Sequence, residues 1–225
     1  MPQDETAMYS HLRTPRAAAV AGIVFSILLV IIFWVFRSAV PADPLDPGAW
    51  LADGSRSVAL ALNLIPFAGI AFLWFIGVLR DRLGPKEDRF FATVFLGSGL
   101  LFLATLFAAA TIVGALLLIA PSSEMTGTTT APTFRFGRAV AYTLINAYPI
   151  KMAGVFMIST STVVIYTGIA PRWMAWIGYA LAALVLLGSF YFNWSIMVLP
   201  AWVLLISVHI LIDNLRGRDS IPRPQ

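Results

Sequence analysis

The chain has 225 residues, 59% of them hydrophobic and only 12% charged, with a formal net charge of +4 at pH 7. A soluble domain carries about 25% charged and about 45–50% apolar residues. This composition, with a mean hydropathy of +0.84, excludes a soluble enzyme, a disordered chain and a domain that holds nucleic acid on a basic face. With no cysteine in the chain, disulfides, thiolate metal sites and cysteine nucleophiles are excluded too.

In chain order, a tail at residues 1–16 carries His11, Arg13 and Arg16. The first apolar run, residues 17–36, matches the roughly 20 residues a spanning helix needs. It is longer than the about 7–15 apolar residues of a signal peptide and has no clear small-x-small site, so it reads as a retained span. The second run, 58–79, contains Asn63 and Pro66. Pro66 removes one backbone donor and frees the carbonyl of Leu62. The expectation is an interrupted helix, either of the ligand-exposing kind found in transporters or an ordinary proline kink. The loop RDRLGPKEDR at 80–89 mixes basic and acidic residues and suits an inner-face turn, a headgroup contact or a partner contact.

The third run, 90–119, would be about 45 Å long as a helix against a hydrocarbon core of about 30 Å. It must tilt, kink or project, and its Gly97-Ser98-Gly99 adds backbone freedom. The fourth run, 139–167, contains Lys151. The fifth covers 173–190 and the sixth 195–212, followed by a tail at 214–225. The expected organisation is therefore a transmembrane domain at 17–213 between two short tails. No run alternates with period 2, so a barrel is disfavoured and helices are expected throughout. The two halves show no self-similarity, although each would carry three spans.

Small residues recur at spacing four, as in Ala18 and Gly22, Gly22 and Ser26, Ala104 and Ala108, Ala110 and Gly114, and Gly178 and Ala182. Such pairs let helices approach closely in lipid, or arise simply from alanine-rich spans. Most of the seven tryptophans fall near predicted span ends, as an interfacial belt requires.

Lys151 is the most informative position, because an ionisable group in mid-membrane is costly. Two registers compete. If the span runs over 139–167, Lys151 is central and needs Asn146, Asn63, Tyr142, Tyr148, the freed carbonyl of Ile145 or a bound anion as partner. If residues 152–170 span alone, Pro149 opens the helix, Lys151 snorkels to headgroups, and residues 134–150 lie at the interface or re-enter. The hydroxyls of Ser159, Thr160, Ser161 and Thr162 either line a polar path or bond back to the preceding turn. His209 and Asp213 lie four apart on one helix face, as a proton relay or as an interfacial polar pair. There is no metal-ligand set, no nucleophile–base pair, no P-loop and no dinucleotide fingerprint, so no catalytic residue, metal or cofactor is expected.

Orientation follows from basic residues. One set of tails and loops holds Arg13, Arg16, Arg80, Arg82, Lys86, Arg89, Arg172, Arg216, Arg218 and Arg223. The opposite set holds Arg37, Arg56, Arg135 and Arg138. The positive-inside rule puts both termini in the cytoplasm. The stretches RDRLGPKEDRFFATVFLGSGLLFLATLFAAA at 80–110 and PRWMAWIGYALAALVLLG at 171–188 resemble multi-span bacterial membrane proteins of uncharacterised activity. The resemblance implies that class of protein and transfers no activity, ligand or catalytic residue.

The expected fold is thus an all-α, six-span bundle in an inner membrane. Its expected role is that of a non-enzymatic membrane module acting through a membrane partner or a second copy. The alternatives are a small transporter or channel with a polar site around Lys151, and an enzyme acting on lipid.

Overall fold

The structure is a computed structural model, and it describes residues 15–40, 50–83, 89–119, 132–168, 170–188 and 194–219. The loop stretches at 41–48 and 126–131, the charged turn at 84–88, His11 and the ends of both tails lie outside the described residues. Everything described is helix or short connection, with no strand among these residues. The helices are α1 (Pro15–Ala39), α2 (Trp50–Leu83), α3 (Arg89–Ile119), α4 (Pro132–Asn146), α5 (Tyr148–Thr167), α6 (Arg172–Gly188) and α7 (Val198–Asp219). A 3-10 turn at Ser195–Met197 leads into α7.

Five segments are long and apolar enough to cross a membrane: Ala17–Ala39, Gly54–Arg80, Thr93–Leu118, Phe134–Tyr166 and Ser195–Asp213. Two expectations change here. The fourth run is two helices, α4 and α5, that meet at Ala147 (φ −108°, ψ −64°), where Pro149 at the start of α5 withholds an N–H. The second run is not interrupted, since α2 continues through Pro66. The described part of the fifth run is α6, an apolar helix of 17 residues that rises about 25 Å up to Gly188, where the described residues stop.

Buried positions follow an alternating spacing of three and four along each long helix. On α2 they are Val58, Ala61, Ile65, Ala68, Phe72, Phe75 and Leu79. On α3 they are Phe95, Gly99, Phe102, Leu106, Ala109, Val113 and Leu116. This is the period of a left-handed helical seam. Outward positions such as Val20, Ile27, Leu60, Phe67, Ile70 and Trp74 are just as apolar, so polarity does not separate the two sides. What separates them is fit: the inward positions interlock through particular aromatic rings and small residues.

The aromatic fit centres on Phe72. Its ring lies 4.4 Å from Phe25 of α1, 5.5 Å from Phe102 of α3 and 4.9 Å from Phe156 of α5. The small-residue fit is clearest at three glycines. A Cβ on Gly22 would collide with Ser207 Oγ of α7. One on Gly99 would come within 2.6 Å of Ile76. One on Gly178 would strike Ser161 Oγ and reach 2.7 Å from the Trp202 ring. Trp202 is therefore a core residue and not part of an interfacial belt, whereas Trp34, Trp74, Trp173, Trp176 and Trp194 are exposed. Of the small-residue pairs, Gly22 with Ser26 and Gly178 with Ala182 face inward, while Ala104 and Ala108 face outward.

The helices run up and down. From Lys151 to Thr162 along α5, the partners fall from Leu186 to Tyr179 along α6, so these two are antiparallel. Gly168 (φ +66°) closes α5 in the left-handed region, its N–H bonded 3.0 Å to Val164 O. α1 packs on α2 and α7, and α3 packs on α2, α4 and α5. One end of the bundle thus gathers the C-termini of α1, α3 and α6, the N-termini of α2, α5 and α7, and the whole of α4.

Candidate functional site

Two features occupy that end. The first is Lys151, in the opening turn of α5 and half-buried. Its Nζ donates to the carbonyl of Leu186. Leu186 lies in the last described turn of α6, and the C-terminal part of a helix attracts a cation. The lysine therefore ties the opening turn of α5 to the last described turn of α6, through an acceptor 35 residues further along the chain.

The second feature is a cavity of about 200 Å³ between α1, α3 and α4, closed at its edge by the turn before α7. Ile32, Phe33 and Phe36 of α1, Ile65 of α2, and Leu106 and Val113 of α3 form its apolar wall. Its polar side comes from α4, where Arg138, Tyr142 and Asn146 line it at successive intervals of four and so share one helix face. Arg138 is only 6% exposed. Tyr142 and Asn146 are exposed at the mouth, and Asn146 Nδ2 donates 2.9 Å to Tyr142 O within its own helix. Opposite them, the guanidinium of Arg37 lies 5.9 Å from the centroid of the exposed Trp194 ring. Among the described residues, the charged side chains lining the cavity are both arginines, Arg37 and Arg138.

The other sequence candidates are placed elsewhere. Asn63 is exposed on α2 and donates 2.9 Å to Ala59 O. Tyr148 is exposed and does not line the cavity. Ser159 and Thr160 are buried and donate back to Val155 O at 3.1 Å and Phe156 O at 2.8 Å. Thr162 donates to Ile158 O at 3.0 Å and lies 2.8 Å from the Tyr179 hydroxyl on α6. Ser159 and Thr160 are thus turned onto their own helix, Thr162 also meets α6, and the buried Ser161 Oγ makes no hydrogen bond among the described residues. His209 is half-buried and Asp213 exposed near the opposite end of the bundle, and no hydrogen bond joins them among the described residues. No cluster of metal-binding side chains occurs among the described residues.

The cavity gathers three residues that the sequence offered as partners for Lys151, namely Asn146, Tyr142 and Ile145, with Arg37, Arg138 and Trp194. The signal for it was the spacing of Arg138, Tyr142 and Asn146 within a segment otherwise read for Lys151. Comparison with family models, curated proteins and solved structures yields no match.

Proposed function

We propose that this chain is a six-span, non-enzymatic membrane protein whose cavity between α1, α3 and α4 holds a ligand drawn from the bilayer. In this reading both termini are cytoplasmic, the membrane is a bacterial inner membrane, and α6 makes the sixth crossing with the help of the lysine bond. The cavity then opens toward the outer leaflet, on the side of Arg37, Arg56, Arg135 and Arg138.

The observation that carries the reading is the composition of the cavity. A ligand site is concave and mostly apolar, with a few convergent polar groups, and here α1, α2 and α3 supply the apolar wall while one face of α4 supplies the polar groups. Lys151 lies outside the cavity lining and on a carbonyl of α6, and Ser159 and Thr160 bond within α5. These placements favour a bound ligand over a conducted one. Service to a membrane partner or a second copy follows as the way a non-catalytic binder acts on its surroundings.

The test is extraction of the protein in mild detergent, followed by organic extraction and mass analysis of what remains bound. Wild type is expected to retain about one amphiphile per chain. Ala110→Phe, which fills the cavity from α3, is expected to lose it while keeping the same helical content by circular dichroism. Equal retention by the filled variant, or none by wild type, sinks the reading.

A further inference from the structure

We infer that the Arg37–Trp194 pair is a latch across the mouth of the cavity, and that the bound amphiphile enters and leaves past it, between α1 and the turn that leads into α7. This rests on the reading of the cavity as a ligand site. Both side chains line the cavity and both are exposed, so they stand where it meets its surroundings. The guanidinium carbon of Arg37 lies 5.9 Å from the centroid of the Trp194 ring, within the reach of a cation–π contact. Exposure falls off behind them. Phe36, Ile196 and Met197 are half-buried, and Ile32 and Phe33 are buried. Tyr142 and Asn146 of α4 form the third side of the mouth.

Each partner has an ordinary reason to be where it is. Arg37 sits in the last turn of α1, where a cation is favoured, and a tryptophan is favoured at the level of headgroups. Neither reason sets the ring beside the guanidinium at the edge of a cavity. The two elements that the pair joins are fastened independently lower down. Gly22 of α1 receives Ser207 of α7 with no room for a Cβ, about 22 Å along α1 from Arg37. Parting the pair therefore leaves that joint intact and needs only the rotation of two exposed side chains. Such rotations take picoseconds to nanoseconds, far faster than the loss of an amphiphile that survives purification. The exchange rate is then scaled by the fraction of time the latch stands open. A cation against an aromatic ring at an exposed site biases that fraction by about two- to fivefold. A contact of this size slows exchange without locking it.

The experiment purifies the protein in mild detergent from cells grown on a carbon-13 source, so that the retained amphiphile is labelled. The protein is mixed with an excess of unlabelled lipid extract from the same cells, and the labelled amphiphile still bound is followed over time by mass analysis. Arg37→Met, which keeps an apolar stem and removes the cation, is expected to speed exchange by about two- to fivefold, and Trp194→Leu by a similar factor. The double variant is expected to exchange no faster than the faster single one, because either change alone breaks the pair. Arg37→Lys should stay closer to wild type, since it keeps the cation. Trp34→Leu removes an exposed tryptophan of α1 that does not line the cavity, and is expected to leave the rate unchanged. Wild-type rates in both single variants overturn the latch and leave the cavity reading standing. Equal acceleration by Trp34→Leu shows general loosening at the membrane surface and also overturns it. Effects that multiply in the double variant overturn the pairing. A wild-type protein that retains no labelled amphiphile overturns the cavity reading and the latch together.

Discussion

A lysine among apolar residues invites a functional reading, and at Lys151 the competing demand is structural. The nineteen residues after it can span alone, and so can a longer register that buries it. Neither register contains the acceptor, because Leu186 O belongs to another helix. That Lys151 needs a partner is legible in the sequence; that a carbonyl of α6 supplies one comes only from the fold. Replacing Lys151 with Met keeps the stem and removes the donor. A hydrogen bond from a charged group contributes about 1.5–3 kcal/mol, and Lys151→Met is expected to lose roughly that much in reversible unfolding in detergent micelles. Lys151→Arg should recover part of it. A Met variant as stable as wild type would show that the bond contributes nothing.

At the scale of the element, the helices themselves were legible and their inward faces were not. Length and apolarity place α1 and α3 within a few residues and find α2 and α7 with ends that run further, because lipid forces each backbone to satisfy itself. The side that faces a neighbour carries no polarity signal, since Phe72 and Phe67 are equally apolar and only the first is buried. Glycines mark the difference. Gly178 receives Ser161 and Trp202, whereas Gly77 has nothing within 4 Å of a Cβ. Gly178→Leu is therefore expected to destabilise the bundle by about 1–3 kcal/mol or more through overpacking. Gly77→Ala should be neutral or gain up to about 0.5–1 kcal/mol from helix propensity. Thermal unfolding of the two variants side by side checks this, and equal effects would remove the packing argument. The break at Ala147 was half legible: Pro149 announces it, but an unbroken apolar run hides it.

For the whole molecule, the sequence shows that the chain belongs in lipid and leaves open which loops face which side. The absence of cysteine makes the test clean. Ser38→Cys at the cavity end and Leu215→Cys at the other end are both exposed positions. In intact cells a membrane-impermeant thiol reagent is expected to label the first and spare the second, with both labelled after permeabilisation. The reverse pattern would turn the molecule over, and the cavity would then open to the cytoplasmic leaflet. The site was the least legible part. Arg37, Arg138 and Trp194 come from distant stretches that only the fold brings to one rim, and each alone passes for an ordinary flank of a span.

The lysine bond also sets a requirement on biogenesis. Its acceptor lies 35 residues downstream, and a ribosome adding about 5–20 residues per second needs roughly 2–7 seconds to supply it. During that interval the nascent segment carries an ammonium group that has yet to make its bond to Leu186. The insertion machinery has to shelter α5 until α6 emerges, so the two helices should leave the translocation channel as a pair.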